Sequence, residues 1–440
     1  MPYDIRKSSE TVVAPKNLLS RRELLQGASA SLAVAAAGTL LAGCGRPAGT
    51  PVTPTASAIT PDTLPARFSQ EEMNHRFSVV RAAMREQGFD GLLLCSRPDG
   101  NGDIGYLTGT DVEYAVFGMD GSTLVLGGEG EGELYDGVES RPVEDDLYSN
   151  AINAAIQELG LARSRIGVGY LQDIVRLPEG GMNYTTFDRV KRANPRSRFD
   201  PASDLLLMVK LPRSAEEIAV LEKAHAISEL GLQTLLHTAK PGVLHSDAWL
   251  AVYHTMVAAS AEFPTRLSLR SGQEGNTGGR PIHERMQAGT ICNQEISARV
   301  LGYGSQVNQS FLLGGPAPDD WQSAAQYCID LFHRLVEYIK PGERVMDAVD
   351  FYVSEMEKRG PVYRGVIFHS GGNNDGPRWG PGRPEAVDAV FQEGMVFTIK
   401  PRIPIRGVEA PTAQFGDGVV VTASGARRLG KRNLEILSVS

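Results

Sequence analysis

Two copies of one short pattern set the tightest limit on what this chain can fold into. Lys240-Pro241-Gly242 followed by Asp247-Ala248 recurs as Lys340-Pro341-Gly342 followed by Asp347-Ala348. Each copy follows a helical stretch, 215–239 and 321–339, and opens another. A repeat with matching flanks predicts a domain of two similar halves, each with paired helices and a set of strands.

Upstream the rhythm is different. Ser69-Gln70-Glu71-Glu72 reads as a helix start, with apolar positions at Phe77, Val80, Ala83 and Met84 before Gly88. Strands are predicted over 91–95, 123–126 and 165–168, with a helix over 151–159. Helix and strand in alternation predict an α/β domain covered on both faces. Ser214 is placed to cap a long helix beginning Ala215-Glu216-Glu217. The expected organisation is a signal over 1–44, a linker over 45–66, an α/β domain over 67–210 and the duplicated domain over 211–440.

The leader carries export signals rather than fold. Arg21 and Arg22 precede a short alanine-rich apolar stretch, as in a twin-arginine signal, and the stretch is too short for a convincing membrane span. It ends in Leu41-Ala42-Gly43-Cys44, a lipobox-like sequence that makes Cys44 the lipidation site and mature N-terminus. An ordinary cleaved signal with a chance cysteine is the competing reading. Residues 45–66, rich in Pro, Thr, Ala and Gly, read as a flexible tether. The expectation is a periplasmic or cell-surface lipoprotein that meets the membrane through its anchor alone.

The formal net charge is −8. With no basic footprint, nucleic acid is not an expected partner. Beyond Cys44 there are three widely spaced cysteines, Cys95, Cys292 and Cys328, which read as buried free thiols rather than a disulfide framework or a zinc site.

The chemistry gathers on three strand segments. Alternation over 290–300 puts Asn293, Glu295 and Ser297 on one face, and a second strand after Gly302 brings Gln306 and Asn308 to one side. Phe368-His369-Ser370-Gly371-Gly372 ends a strand in a glycine-rich loop. Over 391–401, Thr398 and Lys400 share a face. Asp417 opens the last long strand.

The order of these segments resembles the pita-bread family that includes aminopeptidase P, prolidase, methionine aminopeptidase and creatinase. Gly394-Met395-Val396-Phe397-Thr398-Ile399 with Pro401 is similar to its Gly-Met-Val-Phe-Thr-Ile-Glu-Pro. Gly302-Tyr303 with Ser305, Phe368-His369, and Val419 to Thr422 with Gly425 match further motifs. Tyr106-Leu107-Thr108-Gly109 and Met208-Val209-Lys210 resemble the N-terminal domain and junction of the creatinase and aminopeptidase P branch. The resemblance implies a creatinase-like α/β domain followed by a pseudo-twofold pita-bread domain, a small-molecule or short peptide substrate, and a homodimer.

Metal-dependent members hold two divalent ions with two Asp, one His and two Glu. Carried over by the resemblance, those positions fall on Glu295, Gln306, His369, Lys400 and Gly416. An amide, a cation and a glycine among five ligands give no expected metal and no expected cofactor. The resemblance to creatinase implies metal-free chemistry by His369 and Glu295, and Lys400 is placed to supply the fixed positive charge that a metal would otherwise give. Gln306, Tyr303, His283, Trp379 and Asp417 are the candidate substrate contacts. The bland readings stay open: His369 as a satisfied core histidine, Glu295–Lys400 as a structural pair, His283 as a surface residue, Trp379 as a loop anchor. Three functions follow: a metal-independent hydrolase of a small amide or amidine C–N bond, a non-catalytic binding or assembly lipoprotein, or a metal-dependent Xaa-Pro peptidase.

Overall fold

The computed structural model describes residues 59–96, 102–128, 133–174, 177, 179–260, 262–271, 281–372, 376–382, 388–405 and 413–440. All of the described residues fall in one compact unit, Ser57–Ser440. Arg21, Arg22 and Cys44 lie outside the described residues. Among the described residues, no helix is long and apolar enough to cross a membrane.

Helix α1 (Gln70–Gln87) starts where Ser69 accepts a hydrogen bond from the Glu72 amide, and it buries Met73, Phe77, Val80 and Met84. It is followed by β1 (Gly91–Cys95), α2 (Gly102–Thr108), β2 (Tyr114–Gly118), β3 (Thr123–Leu126), β4 (Val138–Arg141), α3 (Tyr148–Glu158), β5 (Arg165–Val168), α4 (Tyr184–Ala193), β6 (Arg198–Pro201) and α5 (Ser203–Val209). The six strands form one sheet in the order β4-β3-β2-β1-β5-β6. Strand β1 runs antiparallel to β2 and parallel to β5. Its alternate side chains enter different clusters: Leu92 and Leu94 pack with Met73 and Phe77, while Leu93 and Cys95 pack with Ile152 and Ile156. Period-two alternation in a strand buried on both sides is what helices on both faces require.

A capping box of Ser214 and Glu217 opens α6 (Ala215–Thr238). Then come α7 (His245–Ser260), β7 (Arg266–Ser271), β8 (Thr290–Ser297), β9 (Arg299–Val300), β10 (Tyr303–Gly304), β11 (Asn308–Gln309), β12 (Phe311–Leu313), α8 (Asp319–Tyr338) and α9 (Val345–Glu357). The chain closes with β13 (Phe368–Ser370), β14 (Arg378–Trp379), β15 (Val396–Ile399), β16 (Arg402–Ile403), β17 (Ala413–Thr422), β18 (Gly425–Arg428) and β19 (Leu437–Val439). One sheet runs β19-β12-β8-β7, another β11-β17-β15-β13-β14, with β16 and β18 also on β17.

The internal echo is structural. The Gly242 amide donates to the Met286 carbonyl and that of Gly342 to Phe391, at 2.8 and 2.9 Å. Gly242 and Gly342 take φ of +88° and +93°, a region that disfavours a side chain. Leu244 bridges Arg285 as Arg344 bridges Val390. Helices α7 and α9 follow at equivalent positions, so each half repeats a helix, a glycine turn, a bridge and a second helix.

The predicted strand over 290–300 is interrupted. Ser228 Oγ takes the Ala298 amide, and Leu301 and Gly302 turn the chain with positive φ. Cys95, Cys292 and Cys328 are free and buried. Burial pushes the Cys95 and Cys328 thiols up to about 12, which leaves them as protonated packing groups.

Candidate active site

Strand pairing brings the site together. Ser268 of β7 lies opposite Glu295 of β8, Arg266 opposite Ser297 and Arg270 opposite Asn293. Directly opposed residues share a face, so β7 sends two arginines to the side that carries Glu295. His369 of β13 lies opposite Thr398 of β15, and alternation puts Lys400 on the Thr398 face. The result is a cavity of about 310 Å³ whose lining includes Glu295, Gln306, His369, Thr398 and Lys400.

Glu295 is the electrostatic centre. Its Oε1 lies 3.2 Å from Lys400 Nζ and 3.1 Å from Arg402 Nη2, and its Oε2 lies 2.5 Å from Arg266 Nε. Burial pushes this carboxyl up, but Lys400, Arg266 and Arg402 together hold it well below the usual carboxylate range. The expected pair of Glu295 with Lys400 is therefore one arm of a three-cation cluster. So stabilised, Glu295 is a poor proton acceptor near neutral pH, and its geometry suits fixing Lys400 in place.

His369 belongs to a hydrogen-bond chain. Asn308 Nδ2 donates to the Gln294 carbonyl, and Gln306 Nε2 donates to Asn308 Oδ1, at 2.8 and 3.0 Å. His369 Nε2 lies 3.0 Å from Gln306 Oε1, and Nδ1 lies 3.1 Å from the Ser370 carbonyl. Backbone carbonyls at both ends can only accept, which fixes the direction of every amide between them. The chain is fully satisfied when both imidazole nitrogens carry hydrogen, the form of a proton donor.

A second buried network holds the glycine loop. Arg213 Nη1 lies 3.1 Å from Glu217 Oε1, and Arg213 Nη2 donates to the Gly371 carbonyl at 3.1 Å. Arg76, stacked over the Phe68 ring, approaches Glu217 and binds Glu72 at 2.7 Å. Helices α1 and α6 thereby fix a loop that lines the cavity.

Four candidate contacts do not line it. Tyr303 is buried on the other side of its strand, where its hydroxyl donates to Glu217 Oε1 at 2.7 Å. Trp379 is fully buried and packs on Phe397, because β14 points it into the apolar core beneath α8 and α9. Asp417 is sealed from solvent and bound by Arg428 and Arg432, both at 2.8 Å. His283 is an exposed residue beyond the cavity wall. Sequence reasoning missed Arg266, Arg270, Arg378 and Arg402, all of which do line the cavity. The alternation Arg266-Leu267-Ser268-Leu269-Arg270 was the available signal for two of them. Arg402 follows Lys400 at strand spacing.

The residues present do not fit a pair of divalent ions. The one carboxylate among the five corresponding positions is already engaged by three cations. A Cβ at Gly416 would lie 2.7 Å from the Ile399 carbonyl oxygen and 2.8 Å from Lys400 Cβ, so this backbone leaves no room for a ligand side chain. Among the described residues, no group of three or more His, Cys, Asp or Glu is arranged to hold a metal.

Comparison with known proteins places this arrangement. The fold is the pita-bread fold of the prolidases: the solved Xaa-Pro dipeptidase of Bacillus anthracis superposes with a TM-score of 0.71 at 19% identity, covering 83% of this chain and all of that one. The dipeptidase PepE of Mycobacterium ulcerans gives 0.68 at 20% identity, over 85% and 99% of the two chains. In sequence, the Xaa-Pro dipeptidase of Pyrococcus horikoshii is 22% identical over 377 residues, 83% of this chain and 99% of that protein. Residues 219–423 match the model of metallopeptidase family M24.

Proposed function

We propose that this protein is a metal-independent hydrolase of a small amide or amidine C–N bond, exported as a lipoprotein anchored at Cys44. The match of residues 219–423 to the M24 peptidase model, with Xaa-Pro dipeptidases among the similar proteins, supports hydrolysis of C–N bonds. The observation that carries the metal-free part is Lys400. Its ammonium sits against Glu295 in the cavity, at a position where the resemblance implies a carboxylate ligand.

The residues divide the work. Lys400 supplies a fixed positive charge that stabilises the negative charge developing on the heteroatom double-bonded to the carbon under attack. Glu295 orients that ammonium. Gln306 orients His369, which gives its proton to the departing nitrogen as the C–N bond breaks. Water supplies the hydroxyl that forms the new C–O bond, and its remaining proton restores His369. The direction of the Gln306–Asn308 chain supports His369 as the donor.

Metal analysis of the purified protein, joined to a turnover screen of dipeptides, N-carbamoyl and guanidino compounds, tests this reading. Activity is expected with far less than one equivalent of divalent metal, to persist in chelator, and to disappear in His369→Ala. Stoichiometric metal whose removal abolishes turnover would overturn it. Export is tested in the same strain: Arg21→Lys with Arg22→Lys should hold the protein in the cytoplasm, and Cys44→Ala should release it from the membrane fraction.

A further inference from the structure

We propose that the exposed face of α7 is a membrane-contact surface, on which the folded body rests against the interface of a lipid bilayer. The contact rests on the lipoprotein reading for its tether, while its chemistry comes from the helix itself. Helix α7 holds one carboxylate, Asp247, and no Lys, Arg or Glu in its 16 residues. A surface helix ordinarily carries charge along the stripe that faces water.

The internal repeat supplies the control. Helix α9 holds the equivalent place in the other half and carries Asp347, Asp350, Glu355 and Glu357. Asp350 and Glu357 are exposed. The matching Lys-Pro-Gly turns set Leu250 and Val257 at the counterpart positions of α7. Leu250 is 55% exposed. The fold accepts charge on this face, and α7 presents apolar groups there instead.

Beside Leu250 the side chains form an aromatic ladder. The Trp249 and Tyr253 rings stack at 5.0 Å, and Phe263, 66% exposed, stacks on Tyr253 at 6.4 Å. Trp249 Nε1 donates to the Leu267 carbonyl at 3.0 Å, which fixes the ladder to β7. Aromatic rings beside a leucine are the groups that settle at the headgroup level of a bilayer. A second copy of the chain fits less well. Stable protein interfaces take roughly 20–30 residues a side, and the ladder offers a handful.

The point where the chain enters the body selects the bilayer. The single turn Pro61–Thr63 packs against α7, and Lys223 of α6 donates to the Thr63 carbonyl at 3.3 Å. Ile59 packs on the same apolar cluster as Trp249 and Tyr253. The stretch from Cys44 to Ile59 spans at most about 50 Å when fully extended. An acyl group at Cys44 therefore keeps the α7 face within reach of lipid. Tethering at that range gives an effective concentration on the order of 1 mM, so a weak surface suffices and release by Cys44→Ala is still expected.

Tryptophan emission tests the contact. The chain has three tryptophans, and Trp321 and Trp379 are fully buried, so lipid can reach Trp249 alone. Brominated phosphatidylcholine quenches only an indole that it touches. With protein purified from the cells that express it and reconstituted into brominated vesicles, the emission that Trp249→Phe removes should be lost. In unbrominated vesicles it should persist. Leu250→Asp, which matches the exposed Asp350 of the repeat, should weaken the contact about tenfold or more and restore that emission; Phe263→Gln is the second variant. The intact mass reports acylation of Cys44 separately. An acylated protein whose Trp249 emission ignores bromine overturns the proposal and keeps the lipoprotein reading. An unacylated protein whose Trp249 is still quenched by added vesicles overturns the anchor and keeps the surface. If quenching is absent and Leu250→Asp instead converts a dimer to a monomer in sedimentation, the face belongs to a second copy and the proposal falls.

Discussion

Two buried carboxylates in this molecule have nearly the same immediate surroundings and opposite fates. Glu295 and Asp417 are each ringed by three basic side chains, and each is held below the usual carboxylate range against the effect of burial. Asp417 lies on β17 opposite Ile399, one residue from Lys400. It is closed off completely. Arg428 and Arg432 bind Oδ2, His225 lies 3.3 Å from Oδ1, and the Gly418 amide donates to Oδ1. Arg432 is satisfied further by Glu229 and by the Asn308 and Gly416 carbonyls. Glu295 instead faces a cavity, and its cations share that cavity with more cations. A depressed carboxyl pKa is thus common to a structural knot and a candidate active site. What separates them is that one acid is sealed from solvent and the other lines a cavity.

The first way to break this comparison is to remove each acid. Asp417→Asn leaves Arg428 and Arg432 facing a neutral amide in a sealed site, and the loss of stability should be about 3–5 kcal/mol by chemical denaturation. The sign with pH follows. A depressed folded pKa stabilises the native state above the unfolded value, near 3.9 for Asp, and that contribution is lost as pH falls toward the folded value. Acid unfolding of the wild type should therefore be steep below about pH 4, and shallower in Asp417→Asn.

Glu295→Gln should cost less, about 2–3 kcal/mol, because its partners retain access to water. The Arg266 side chain is 42% exposed, so solvent screens part of the charge that the change leaves behind. A loss equal to that of Asp417→Asn would show that the cavity is as dry as the sealed site and would end the contrast.

The sequence made one side of this comparison legible and hid the other. Glu295 and His369 were readable because they sit on strands, where a period of two fixes which side chains share a face; Lys400 follows β15 directly in the same rhythm, and Gln306 lies between β10 and β11. The repeated Lys-Pro-Gly turn fixed the two halves for the same kind of reason, since a local backbone requirement leaves a local signature. Tyr303, Trp379 and Asp417 lie beside readable motifs, yet they point away from the cavity. Their direction depends on which strand pairs with which, and Tyr303 faces Glu217, a residue 86 positions away. The arginines of β7 were hidden because no local signal says that β7 pairs with β8. Charge balance in a cavity is a sum over distant segments, and composition averages it away.

The smallest expected stability effect belongs to Lys400→Met, and it sharpens the comparison most. If Glu295 and Lys400 were an isolated pair, removing either partner would strand the other at about 3–5 kcal/mol. The observed cluster is unequal. Without Lys400, Glu295 keeps Arg402 at 3.1 Å and Arg266 at 2.5 Å, so its charge stays compensated. The net loss should be under about 1 kcal/mol, well below that of Glu295→Gln. In a double-mutant cycle the pair should couple weakly, because each partner's charge is shared with others. Turnover should respond in the opposite order: Lys400→Met removes the charge at the reacting carbon, and Lys400→Arg should restore little of it, since a planar fork cannot occupy the ammonium's position. A Lys400→Met protein destabilised as strongly as Glu295→Gln would return the site to a simple buried pair.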